Sequence, residues 1–207
     1  MTFLIKLAAA SVAAYLFGSF NTAVVVSRSM LKDDIRQHGS GNAGATNALR
    51  VMGRRLAALV MAGDVLKGVI AVFFAGWLLN GTDYHDLARM LAAVFVVIGH
   101  VYPLFFGFKG GKGVATTAAI ILVVDWRCFL IGAVIFLAAA FITRYSSLGS
   151  MLGIGSVPFS MWFFSVDTLT IGVSALLALF VVFLHRSNIR RLLKGEENKI
   201  SVGKRAR

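Results

Sequence analysis

Long apolar blocks, each bounded by a short polar segment, organise this chain. Runs over roughly 3–27, 56–79 and 87–106 are long enough to cross a bilayer as helices, which takes about 20 residues. Two slightly shorter runs, roughly 147–165 and 168–184, fit the same role. Between them, 114–124 and 128–143 are separated by Asp125-Trp126-Arg127. At a helical rise of about 1.5 Å per residue the run 114–124 is only about 16 Å long, too short to cross a ~30 Å core upright. The pattern predicts an all-α, polytopic integral membrane protein. It has about seven membrane-embedded helices, one or two of them short or re-entrant, in a single domain over 1–207.

Composition agrees: 58% of residues are hydrophobic, only 14% are charged, and the mean hydropathy is +0.80. Residues 3–27 are too long an apolar stretch for a signal peptide and contain Lys6, so they read as an uncleaved first span.

The net charge of +12 raises the question of nucleic acid, and position answers it. Basic residues concentrate in 28–55 (Arg28, Lys32, Arg36, Arg50, Arg54, Arg55) and in 185–207, from Arg186 to Arg207. Both segments flank apolar runs, which is the positive-inside pattern and needs no nucleic acid. Placing 28–55 in the cytoplasm puts the N-terminus outside and the basic C-terminal tail, about 186–207, inside. Seven spans, or five plus a hairpin at 114–143, satisfy this rule equally. The segments 28–55, 107–113, 144–147 and 185–207 then all face one compartment, where anionic headgroups and anionic substrates would be attracted.

Those segments hold the candidate chemistry. In "GSGNAGATNALR", Gly39 and Gly41 permit positive φ, so successive amides can curl around an anion. Ser40 or Asn42 is placed to cap a helix running to about Arg55. Asn42, Thr46 and Arg50, spaced by four, would share its face: amide, hydroxyl and guanidinium fork. An ordinary capped interfacial helix is the alternative. In "FKGGKGVAT", Lys109 and Lys112 alternate with Gly110, Gly111 and Gly113 before Thr116 and Thr117. This suits a phosphate loop but is not a Walker A, which would need Gly at Phe106 and Ser or Thr at Gly113. A flexible cytoplasmic turn is the alternative there. In "HRSNIRRLLKGEENK", His185, Asn188 and Arg191 fall near one helix face. A basic juxtamembrane helix accounts for the arginines but not for the uncharged His185 and Asn188. Asp64 and Lys67 lie about 13 and 18 Å into the second span, either functional or a structural ion pair. His100, at similar depth, reads as a packing histidine.

Several chemistries lack their residues. His38, His85, His100 and His185 show no paired ligand spacing, so no metal and no cofactor are expected. None is followed five residues on by Asp, so the H-x-x-x-x-D dyad of another acyltransferase class is missing. No G-x-S-x-G elbow occurs. The single Cys128, deep in an apolar run, excludes an internal disulfide and is a poor nucleophile.

Taken together, "DIRQHGSGNAGATNALRVMG" (34–53), "GHVYPLFFGFKGGKGVAT" (99–116) and "HRSNIRRLLKGEENKI" (185–200) resemble the bacterial acyl-phosphate:glycerol-3-phosphate acyltransferase family (PlsY). "DVLKG" (64–68) and "RYSSLGS" (144–150) are secondary matches. Asn21 stands where the family usually has proline, and the residues after Ile200 look like an added tail. The resemblance implies a multi-pass enzyme of the bacterial inner membrane with its site facing the cytoplasm. It would move a fatty acyl group from acyl phosphate to the 1-hydroxyl of glycerol 3-phosphate, releasing 1-acyl-glycerol 3-phosphate and phosphate. A functional link to the enzyme that makes acyl phosphate goes with it. It also implies roles for Ser40, Thr46 and Arg50, for Lys112 in the phosphate loop, and for His185, Asn188 and Glu197. Ser40, His185 and Asn188 are the catalytic candidates. Gly39, Gly41, Asn42, Thr46, Asn47, Arg50, Lys109, Gly110, Gly111, Lys112, Gly113 and Glu197 are the substrate-binding candidates. A transporter for a phosphorylated anionic solute is the rival, opposed by the absence of an evident inverted repeat and by the gathering of the candidate polar segments at one face instead of mid-bilayer.

Overall fold

The computed structural model describes residues 2–200, and among these every regular element is helical. The chain forms two compact units, one ending at Trp126 and the other beginning at Arg127.

The first unit contains α1 (Phe3–Ser19), α2 (Thr22–Met30), α3 (Ala45–Leu78), α4 (His85–Val101) and α5 (Val114–Val124). Small residues let α1 and α4 approach closely. Ala10, Ala14 and Gly18 recur every four residues on α1 and are buried. Any Cβ at Gly18 would overlap the carbonyl of Val96, and one at Gly99 would overlap that of Tyr15. This is how helices associate in lipid, where apolar surface alone gives no drive and dispersion contact decides. The buried face of α3 runs through Ala57, Val60, Asp64, Lys67, Gly68, Ala71, Val72 and Ala75, a helical stripe. Gly68 meets Thr116 and Ile120 of α5 there.

The second unit contains α6 (Trp126–Thr143, which begins one residue before the boundary), α7 (Ser146–Gly155), α8 (Val157–Phe163), α9 (Thr168–Leu184) and α10 (Arg186–Leu193). Gly132 of α6 and Gly153 of α7 pack backbone to backbone: a Cβ at Gly132 would lie 2.8 Å from the Gly153 oxygen. Asp167 caps α9 by accepting from the Thr170 amide at 2.9 Å. Phe141 and Ile142 of α6 are 88% and 78% exposed, a surface suited to lipid and not to water.

The helices depart from the expected spans in three places. The run 3–27 is broken at Phe20–Asn21, where the Asn21 side chain caps α2 by accepting from the Val24 amide at 3.1 Å. The run 147–165 is two short helices, α7 and α8, divided at Ser156 with Pro158 in the first turn of α8. The helix expected to stop near Arg55 instead continues to Leu78 through a kink at Gly53 (φ 80°, ψ 177°), a conformation open to glycine alone. The sequence pattern allows about seven embedded helices, or five spans plus a hairpin. Among the described residues, four stretches are long and apolar enough to cross a membrane: Phe3–Met30, Ala45–Leu78, His85–Phe106 and Trp126–Thr143. Counting α9 and α10, bent by 56°, as one span makes five. The 11 residues of α5 form the short helix the sequence indicated. Lys204, Arg205 and Arg207 of the basic tail lie outside the described residues.

Candidate active site

The loop before α3 is shaped by two glycines and one amide. Gly39 and Gly41 take φ of 61° and 70°, as their spacing predicted. Asn47, 1% exposed, fastens the curl from inside. Its Oδ1 accepts from the Ser40 amide at 2.9 Å, and its Nδ2 donates to the carbonyls of His38 (3.0 Å) and Ile35 (3.3 Å). Asn47 is therefore a clamp for the loop, its amide oxygen and nitrogen both engaged by backbone. The cap also differs from expectation. Gly44 occupies the N-cap of α3 and no side chain caps it, so neither Ser40 nor Asn42 plays that part. Asn42 precedes the helix, which reduces the three-residue face to Thr46 and Arg50, one turn apart and both exposed. Ser40 is exposed at the crest of the loop.

The glycine loop packs directly behind it. Gly107 and Gly113 have φ of 68° and 73°. The amide of Gly110 donates to the Val101 carbonyl at 2.9 Å, and that of Gly111 to the His100 carbonyl at 3.1 Å. These two amides thus face the end of α4. Glycine is required at both positions by space. A Cβ at Gly110 would overlap the His100 carbonyl, and one at Gly111 would overlap the His100 ring and lie 2.6 Å from the Ala43 carbonyl. The two loops meet at Gly111 and Ala43. Lys109 is exposed and Lys112 half-buried at this edge, and α5 starts at Val114 with no side-chain cap. The hydroxyls of Thr116 and Thr117, in its first turn, are buried with no hydrogen-bond partner among the described residues.

Two residues outside the expected set join the loops. Arg36 Nη1 donates to the carbonyls of Phe106 (2.6 Å) and Lys109 (2.9 Å). Its Nε and Nη2 grip Asp34 at 2.9 and 2.7 Å, and Arg28 donates to the same carboxylate at 2.9 Å. The hydrogen bonds from Arg36 lead the effects that hold the Asp34 carboxyl well below the usual range, and the same pairing raises Arg36. The sequence did carry a signal, the "DIR" triplet opening the first motif, but nothing local says that its arginine reaches 73 residues ahead.

In the second unit the third motif forms its own cluster. His185 sits at the bend between α9 and α10 and is buried. Its Nδ1 lies 2.8 Å from the Val181 carbonyl. A carbonyl only accepts, so Nδ1 carries a proton. Glu197 accepts from Asn188 Nδ2 (2.6 Å), Ser147 Oγ (2.8 Å) and Arg191 Nε (2.7 Å). Burial alone would raise the Glu197 carboxyl, but hydrogen bonds from Asn188, Ser147 and Arg191 outweigh it and hold its pKa below the ordinary value. Glu197 thus joins α7 to α10 through Ser147, Asn188 and Arg191. Ser147, in the "RYSSLGS" stretch, was not foreseen.

Deeper in the first unit, Asp64 and Lys67 do form an ion pair, at 2.9 Å. His100 is not merely packed: its Nδ1 lies 2.7 Å from Lys67 Nζ.

The family model described as glycerol-3-phosphate acyltransferase matches residues 8–195. Curated glycerol-3-phosphate acyltransferases are similar over most of their length. That of Thermoanaerobacter pseudethanolicus is 44% identical over 92% of this chain and 93% of its own. That of Bacillus subtilis is 43% identical over 90% and 94%. Two crystal structures of PlsY (YgiH), an integral membrane glycerol 3-phosphate acyltransferase, are each 31% identical and cover 94% of this chain. They span 96% and 95% of their own chains, with TM-scores of 0.87 for the glycerol 3-phosphate form and 0.84 for the lysophosphatidic acid form. A match running nearly end to end, in both sequence and fold, means that this chain belongs to the glycerol-3-phosphate acyltransferase family.

Proposed function

We propose that the protein acylates the 1-hydroxyl of glycerol 3-phosphate with acyl phosphate as donor, giving 1-acyl-glycerol 3-phosphate and inorganic phosphate. The observation that carries this reading is the seam between the two glycine-bent loops. Exposed Ser40, Thr46 and Arg50 belong to the first loop and the helix it opens, and exposed Lys109 and half-buried Lys112 to the second, each loop leading into a helix start without a side-chain cap. Such N-termini favour anions, and both substrates carry phosphate. The buried, unpartnered Thr116 and Thr117 hydroxyls add to the case for a polar occupant.

Acyl phosphate is a mixed anhydride, so the hydroxyl oxygen attacks the acyl carbon directly and the carbon–oxygen bond to phosphate breaks. No enzyme nucleophile is needed; orientation and charge stabilisation supply the rate. In this reading Ser40, Thr46 and Arg50 hold glycerol 3-phosphate, Lys109, Lys112 and Gly113 hold the acyl phosphate headgroup, and His185 and Asn188 orient the hydroxyl. The hydroxyl proton passes either to His185 Nε2 or to the substrate's own phosphate. The acyl chain lies in the apolar groove of α1 and α4, lined by Leu7, Val12, Leu91, Phe95 and Ile98 and ending at Tyr15, whose hydroxyl donates to the Tyr102 carbonyl beside the glycine loop. The relatives solved with glycerol 3-phosphate and with lysophosphatidic acid support the acceptor and the product. The distribution of basic residues supports an inner-membrane protein whose site faces the cytoplasm.

Purified protein given glycerol 3-phosphate should release phosphate from acyl phosphate in detergent, with no gradient. Release only with acyl-CoA or acyl carrier protein would remove the donor assignment. No turnover with any donor would favour a transporter. If His185→Ala lowers the rate but leaves its pH profile unchanged, His185 is not the base.

A further inference from the structure

Asp64, Lys67 and His100 are 2%, 5% and 2% exposed, and the phosphate sites described above do not use them. Their geometry is specific. An ammonium has three donors and no acceptor; Lys67 Nζ donates to the Phe20 carbonyl at 3.2 Å, lies 2.7 Å from His100 Nδ1 and pairs by charge with Asp64 Oδ1 at 2.9 Å. The Phe20 carbonyl is available because the chain breaks between α1 and α2 at that point. Nδ1 of His100 also lies 3.5 Å from Asp64 Oδ1, but its shorter contact is to the ammonium, which can only donate, so Nδ1 presents a lone pair, the ring is neutral and its proton resides on Nε2. The alternative, a protonated ring, would leave a net positive charge buried against Lys67, which is costly away from water. A Cβ on Gly111 would overlap His100 Nε2 and lie 2.6 Å from the Ala43 carbonyl oxygen. The donor and that carbonyl therefore converge on the space the missing side chain leaves open.

We propose that Lys67, balanced by Asp64, fixes His100 as the Nε2–H tautomer, and that this N–H holds the Ala43 loop against the Gly111 loop, making Lys67 and His100 positioning residues for the two phosphate sites. The inference rests on the substrate reading above, except for the tautomer itself. His100 then acts through backbone: it draws Ala43 inward through its ring while its own carbonyl accepts from the Gly111 amide at 3.1 Å.

The test uses the full chain in lipid nanodiscs. Histidine nitrogen NMR, with His100 identified by its through-space contact to Gly111, should show Nε2 protonated and Nδ1 bare. A proton on Nδ1 overturns the proposal, and this arm needs no variant to fold. In kinetics, Lys67→Met should raise KM for both substrates roughly tenfold, with kcat changed less than about threefold, as expected when ground-state positioning is lost. His100→Gln puts an amide N–H near the Nε2 position and should keep a lower KM than His100→Asn, which does not. A fall in kcat with KM unmoved, or equal KM for Gln and Asn, refutes the positioning role. If the unaltered protein does not turn over glycerol 3-phosphate and acyl phosphate, the substrate reading falls instead, and the tautomer is judged by the spectrum.

Discussion

Arg36→Lys isolates how much the glycine loop depends on the first motif. The guanidinium makes two bonds to loop carbonyls, at 2.6 and 2.9 Å, while gripping Asp34 with its other nitrogens. A lysine ammonium is one point and cannot serve the carboxylate and both carbonyls together. Hydrogen bonds to charged groups contribute about 1.5–3 kcal/mol each. Arg36 is 19% exposed, so solvent screening puts the two carbonyl bonds near the lower end, roughly 3 kcal/mol together. Lysine should recover about half, leaving a deficit of roughly 1.5 kcal/mol, which is about tenfold in an equilibrium constant. The expected result is a rise of about tenfold in KM for acyl phosphate, a larger rise in Arg36→Ala, and near-normal KM for glycerol 3-phosphate. Phosphate release with each substrate varied in turn measures this. The reasoning fails if the lysine variant keeps its KM for acyl phosphate, or if both KM values rise together.

Two further predictions probe structure. Glu197 has a folded pKa below its unfolded value, so its stabilisation is complete above the ordinary carboxyl pKa of 4.5 and is lost as pH falls through the lower folded value. Glu197→Gln should therefore lower Tm at pH 7 and flatten its decline below about pH 5; a parallel drop at every pH would show that the charge is irrelevant. Gly53→Ala and Gly111→Ala should fail for different reasons. At Gly53 no atom lies within 4 Å of a new Cβ, so only the backbone resists, at about 1–3 kcal/mol, and a lower Tm with altered Arg50 function is expected. At Gly111 the Cβ has no room, and loss of activity should exceed that at Gly53; normal activity there would show that the loops are not tightly joined.

Much of the site could be read from residue type and order. Gly39 and Gly41 do take positive φ, a backbone conformation that residues with a Cβ rarely adopt. The 17-residue helix Thr168–Leu184 matches its apolar run, and α5 is as short as its run. What could not be read was which polar groups face inward. Asn47 and Glu197 have the chemistry of ligand contacts, yet they are occupied by protein partners. Asp34, Arg36 and Ser147 have the chemistry of ordinary surface residues, yet they hold the loops and helices in place.

Hydropathy and glycine placement are local properties, set by the cost of exposing backbone to lipid and of bending it, so sequence alone determined the helical membrane class and the two curled loops. Partner choice is not local. Whether an amide meets substrate or its own backbone, and whether Lys67 neutralises Asp64 alone or also sets a histidine tautomer, depends on groups brought within 3 Å or so by packing of small residues between helices far apart in sequence. Those distances belong to the tertiary structure, because hydrogen bonds act over ångströms and the chain order carries no record of them.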